Sequence, residues 1–211
     1  MQKLPFILIA VLGVTVAQAP TPIPWAPNWS SHFTEAAYLP VKGSHSGITG
    51  IFKYQFGNGN QRQSVYRTDG FYDIYCGTVH EFSHTPCQHL VLNNGTRYLI
   101  FPRLRDCCLC CTAANGCGPT LPTWFMSGKY VSQTSAAITF SVVGNQENIY
   151  AMTPAGVPVQ INMVPESNMV FDTTTYSTAT LTDQDFALPT DMGNCNKLCP
   201  NYSWCGEIRK F

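Results

Sequence analysis

Apolar and polar residues in this chain alternate in short runs punctuated by Gly, Pro, Asn and Asp. Phe33 to Val41 predicts a first strand. Ile48 to Phe56 predicts a second, with Ile48, Ile51, Phe52, Tyr54 and Phe56 in a β-rich mixture that alternates toward its end. Gly57-Asn58-Gly59-Asn60 is a strong turn, because Gly and Asn tolerate positive φ. Gln63 to Thr68 returns across it. Asp69-Gly70 predicts another turn and Phe71 to Cys76 a third return strand, the succession of an antiparallel meander. Residues 77–89 break the pattern. Leu90-Val91-Leu92 then faces Tyr98-Leu99-Ile100-Phe101 across Asn93-Asn94-Gly95-Thr96, the clearest hairpin in the chain.

Further along, Trp124 to Val131 and Ala137 to Val143 read as strands separated from the next pair by the loop Gly144 to Asn148. Ile149 to Thr153 and Val157 to Met163 flank the turn Pro154-Ala155-Gly156. Met169 to Phe171 and the Thr-rich run to Thr182 predict one or two more strands. No segment carries a sustained 3.6-residue apolar period, so helix should be short and sparse. The expected fold is mainly β: a curved antiparallel sheet, or two, forming a half-barrel or two-layer sandwich with an apolar pocket.

The flanks set the context. Residues 1–17 read as a secretory signal peptide: Lys3, then an apolar run from Leu4 to Val16, then small residues. The run is too short to span a membrane. Cleavage after Ala17 is favoured over cleavage after Ala19, which would leave Pro20 at the new N-terminus. No membrane span is expected in the mature chain, and the expected location is extracellular or in the secretory lumen. Residues 18–31 form an extended lead-in rich in Pro and Trp, 32–190 a single β domain, and 191–211 a cysteine-rich tail packed on it. Charged residues make up only 11% of the chain, under half the usual share of about 25%. Ser, Thr, Asn and Gln must therefore build the polar surface. Zero formal net charge removes the basic footprint of a nucleic-acid binder.

The chain holds ten cysteines, at positions 76, 87, 107, 108, 110, 111, 117, 195, 199 and 205. In an oxidising compartment an even set predicts disulfides. Five lie in Cys107-Cys108-Leu109-Cys110-Cys111 and Cys117, within a junction at 106–118. Sequence neighbours do not easily pair with each other, so they should reach different partners. If Cys76 pairs with Cys87, the central five and the tail three (Cys195, Cys199, Cys205) are both odd, and at least one bridge ties tail to centre. The remaining connectivity stays open, as ten cysteines allow about 945 pairings. A thiolate metal site using His80, His84 and His89 competes with this reading, but the paired CxxC knuckles of a zinc ribbon are missing. No metal or cofactor is expected. Three sequons, at Asn28, Asn94 and Asn201, predict glycosylated loops.

No catalytic constellation stands out, and the chain is expected not to be an enzyme. In Gly43-Ser44-His45-Ser46-Gly47 the centre of a nucleophile elbow would have to be Ser and is His45. Asp183-x-Asp185 lacks an EF-hand loop around it.

Several blocks together carry a resemblance. They are Asn60-Gln61-Arg62-Gln63 with Asp69-Gly70-Phe71-Tyr72-Asp73; Thr85-Pro86-Cys87; Arg97-Tyr98-Leu99; the CCxCC stretch with Gly116-Cys117-Gly118; Pro122-Thr123-Trp124; Gly144 to Asn148; Met169-Val170-Phe171-Asp172; and the tail cysteines. The chain resembles secreted cysteine-rich proteins of ciliated protists, distantly similar to the ependymin-related proteins. That resemblance implies a lipoprotein-carrier-like fold, a strongly curved antiparallel sheet around an apolar pocket. Ependymins are credited with binding calcium and hydrophobic ligands. The CCxCC stretch departs from the animal ependymin pattern, and no catalytic residues carry over.

The candidate pocket residues are Phe125, Met126, Phe140, Met152, Met163, Met169 and Phe171, since methionines and aromatics suit an adaptable apolar site and equally suit an ordinary core. The leading expectation is a secreted, non-catalytic protein holding a lipid or other hydrophobic small molecule. The alternative is a structural or adhesive extracellular protein with a filled core, and a distant third is a secreted hydrolase.

Overall fold

A computed structural model describes residues 19–143 and 147–211. The signal peptide expected at 1–17, and most of the loop expected at 144–148, lie outside the described residues. Eleven strands form one open antiparallel sheet: β1 Asn28–Leu39, β2 Gly43–Gly57, β3 Asn60–Arg67, β4 Cys87–Val91, β5 Arg97–Phe101, β6 Asp106–Cys111, β7 Lys129–Gln133, β8 Ile138–Val143, β9 Glu147–Met152, β10 Pro158–Met163 and β11 Ser167–Phe171. The spatial order is β6-β5-β4-β3-β2-β1-β11-β10-β9-β8-β7. The first six strands meander outward from β1. Residues 112–128 then carry the chain to the opposite edge, and β7 to β11 meander back until β11 pairs with β1, Phe33 opposite Phe171. Two short α-helices, α1 Cys76–Val79 and α2 Trp204–Ile208, and three 3-10 turns, Pro102–Leu104, Ala113–Asn115 and Asp183–Phe186, complete the regular structure among the described residues.

The sheet is strongly curved. Tyr54 on β2 and Tyr150 on β9 are four strand spacings apart, about 19 Å if the sheet were flat. Yet the Trp25 ring lies 5.1 Å from Tyr54 and 6.3 Å from Tyr150, which puts those two rings no more than about 11 Å apart. Alternation selects the inner face: on β1, Trp29, Ser31, Phe33, Glu35, Ala37 and Leu39 are all buried. Gly50 permits the packing there, because a Cβ would lie 2.2 Å from both Phe33 Cζ and the Tyr66 carbonyl oxygen.

Three expected strands differ. Phe71 to Cys76 is a turn leading into α1, because Asp69 Oδ1 accepts from the Phe71 amide and Asp73 Oδ1 from the amides of Tyr75 and Cys76. Such local bonds compete with a strand ladder. Over Trp124 to Val131 only the end is strand: residues 122–127 are turns that drive Phe125 inward, and the strand runs from Lys129 to Gln133. The Thr-rich run after Phe171 is irregular, with Asp172 Oδ1 bonding Thr174, and makes one bridge, Ser30 to Ser177. β1 also begins at Asn28, earlier than expected.

The cysteines form five disulfides: Cys76–Cys87, Cys107–Cys195, Cys108–Cys199, Cys110–Cys205 and Cys111–Cys117. Strand pleat explains the divergence of neighbours. Cys108 shares the inner face with Phe52, Val65, His89 and Leu99, which pair in one row across β2 to β6. Cys107 points to the outer face, into a cluster with Leu90, Tyr98, Ile100, Phe186 and Cys195. Three bridges therefore tie tail to centre. Between them Leu109 donates to the Lys197 carbonyl and accepts from the Cys199 amide, at 2.8 and 2.9 Å. The tail covers the β6 edge, which would otherwise offer unpaired backbone groups.

Candidate functional site

The hollow of the curved sheet is where a ligand would sit, and two non-strand segments enter it. The Pro-rich lead-in delivers Trp25, whose indole N–H donates to the Tyr150 hydroxyl at 2.9 Å. The crossover delivers Trp124 and Phe125. Phe125 stacks on Tyr150 with ring centroids 4.0 Å apart, and Trp29 stacks on Phe52 at 4.8 Å. Trp25 itself touches Trp29, Phe52, Tyr54, Trp124, Phe125 and Tyr150.

The structure brings most of the candidate pocket residues into this cluster. Phe125, Phe140 and Met152 have no exposed surface, and Met169 and Phe171 are nearly as buried. Met163 is half-buried against the same cluster. Met126 is not brought in: it is 39% exposed. Hollows of about 320 and 440 Å³ lie elsewhere. The first is lined by Val79 to Ser83 and Tyr202, the second by Gln88, Ile100, Pro102, Gln184 and residues 187–192.

A second inner-face feature escaped the sequence reading. Glu35 on β1 accepts from Arg67 Nε at 2.6 Å and Nη2 at 3.2 Å, and from the Ser167 hydroxyl. Arg67 Nη1 lies 3.5 Å from Asp73, whose other oxygen bonds His89 Nε2 at 2.9 Å. Glu35, Arg67, Ser167 and His89 are buried. Burial opposes ionisation of Asp73, yet His89, Arg67 and the Cys76 amide together hold its carboxyl below the ordinary range. Burial likewise opposes the Arg67 charge, and Glu35 and Asp73 outweigh it, so Arg67 is raised. Burial pushes the His89 imidazole down; Asp73 acts against this and Arg67 and Arg97 add to it. The signal was present in the sequence as phase: Glu35 is two residues from both Phe33 and Ala37, and Arg67 two from Val65, so both share the inward face of their strands.

The remaining candidate chemistry is dispersed. His80, His84 and His89 each bond a different carboxylate, Asp106, Asp69 and Asp73. Among the described residues no histidine ring bonds a serine. His45 stacks on Tyr72 at 5.0 Å, and its flanking glycines lie in β2. Asp183 pairs with Arg62 and Asp185 with Lys53. Cys76, Cys87 and His89 place potential ligand atoms within 4.8 Å of one another, but both sulfurs are spent in the disulfide, and zinc needs thiolates. All three sequons lie on described residues. Comparison with protein-family models finds no match, and no curated protein matches the chain.

Proposed function

We propose that this chain is a secreted, non-catalytic glycoprotein that serves as a structural or adhesive element, its curved sheet filled by its own side chains. The observation that carries the proposal is the interior itself. Trp25, Trp29, Tyr54, Phe125, Phe140, Tyr150 and Met152 occupy the space a bound lipid would need; six of them have no exposed surface, and Trp25 is 3% exposed. Ring contacts at 4.0 to 6.3 Å join Trp25, Trp29, Tyr54, Phe125 and Tyr150, the spacing of packed aromatic pairs. Ten cysteines consumed in disulfides suit an oxidising compartment, and an open curved antiparallel sheet is the arrangement that the ependymin-like blocks imply.

Native mass spectrometry of protein taken from its source tests the proposal. The expected spectrum is that of polypeptide and glycan alone. A lipid or other apolar molecule that co-purifies stoichiometrically would refute the filled-core reading and establish the carrier in its place.

A further inference from the structure

The three sequons are alike in sequence and unlike in structure. At Asn94 the carboxamide oxygen accepts from the Thr96 amide at 3.0 Å, closing the turn of the β4–β5 hairpin; Asn93 and Asn94 are exposed while Gly95 and Thr96 are buried, and Nδ2 of Asn94 has no hydrogen-bond partner among the described residues. At Asn201 the oxygen accepts from Arg209 at 3.1 Å, and Nδ2 again has no hydrogen-bond partner among the described residues. Asn201 is exposed, and so is its neighbour Tyr202, which lines the 320 Å³ hollow.

Asn28 is different. Its Nδ2 donates to the carbonyls of both Thr178 and Ala179, at 3.2 and 2.5 Å, and its oxygen accepts from the Leu181 amide at 3.4 Å. Asn28 opens β1 and pairs with Gln55; the middle residue of its sequon, Trp29, has no exposed surface, and Ser30 is bridged to Ser177. The carboxamide is thus a clamp holding segment 178–181 against the end of β1.

We propose that Asn94 and Asn201 carry N-linked glycans in the secreted protein and that Asn28 carries none, its side chain being a structural clamp. The inference rests on the secretory reading above. In the transfer, Nδ2 forms a bond to C1 of N-acetylglucosamine as the C1–O bond to the lipid-linked pyrophosphate breaks; the lipid pyrophosphate leaves with that bonding pair, and the proton displaced from Nδ2 balances its charge. At Asn94 and Asn201 that hydrogen is free. At Asn28 both hydrogens are committed, and the sugar would occupy the place of residues 178–181. A chain modified there cannot dock that segment, and so is not the folded species that is exported.

The test expresses the full chain in secreting eukaryotic cells and maps peptides after glycosidase release in heavy-oxygen water. Heavy-oxygen aspartate is expected at 94 and 201, with unmodified Asn at 28. Glycosidase should remove two electrophoretic steps from the wild type, one from N94Q, one from N201Q and none from the double variant. Ser30→Ala destroys the first sequon without touching the clamp and should still show two steps. A third step that S30A removes, or a secreted chain lacking sugar at 94 or 201, overturns the inference. An unmodified chain retained in the cytosol overturns the secretory reading, and the inference with it.

Discussion

Replacing Trp25 with alanine tests the filled interior most directly. The Trp25 ring touches six aromatic residues and is 3% exposed. Truncating a buried aromatic to alanine costs about 3–5 kcal/mol, the lost transfer energy plus that of the residual cavity. The Tyr150 hydroxyl, on a residue with no exposed surface, also loses its indole donor, which adds about 1 kcal/mol. For a domain of this size each kcal/mol lowers the Tm by about 2–4 °C, so the variant should melt at least 8 °C below wild type. Thermal and urea unfolding with disulfides intact measure this. A dry apolar cavity of this kind binds small apolar guests, so the variant should bind benzene or xenon and the wild type should not. A loss under about 1.5 kcal/mol, or equal guest binding by the wild type, would refute the packed interior.

Glu35→Gln should destabilise by about 3–5 kcal/mol, because it leaves Arg67 buried without its main counter-charge; a double-mutant cycle with Arg67→Met should recover much of the loss, and additive losses would deny the coupling. Acid should weaken the fold. The His89 pKa is depressed on folding, so its contribution is complete above the unfolded value of about 6.5 and falls as pH drops toward the folded value. Asp73, also depressed, adds a loss that begins near its unfolded value of about 3.9 and deepens with further acid. Urea midpoints from pH 8 to 3 should show both, and His89→Gln should remove the first. The chain-entropy model assigns an isolated 88-residue loop, that of Cys107–Cys195, about 4–5 kcal/mol. Cys108–Cys199 and Cys110–Cys205 close nearly the same loop, so removing any one tail bridge should cost far less than that, and removing all three should cost more than the three single losses combined; additive losses in chemical denaturation would contradict shared loop closure.

Much of the β architecture was legible because its signals are local. Turn residues such as Gly57-Asn58-Gly59-Asn60 and Asn94-Gly95 impose backbone conformations within a few positions, and period-two burial marks the inward phase of a strand. The strands missed or misplaced were those in which a nearby side chain competed with the ladder. Asp73 drew the amides of Tyr75 and Cys76, and the crossover turned Phe125 inward where a strand would have alternated. The candidate interior residues were recognised as apolar and adaptable, but periodicity cannot tell a core from a pocket. That distinction depends on whether other side chains arrive from distant segments.

Local chemistry therefore accounts for the strand-and-turn sequence, the sparse helix, and the divergence of Cys107 and Cys108 to opposite faces. Long-range closure decided the rest. The pairing of β11 with β1 joins two meanders whose strands are otherwise neighbours in sequence. Curvature lets Trp25 meet both Tyr54 and Tyr150, and the tail selects its three cysteine partners along β6. Glu35, Arg67, Asp73 and His89 become one network only when strands β1, β3 and β4 and the turn before α1 converge. The physical reason is that a one-dimensional pattern fixes which face of a strand avoids water, whereas the partner that covers it is set by packing among segments the chain brings together only on folding.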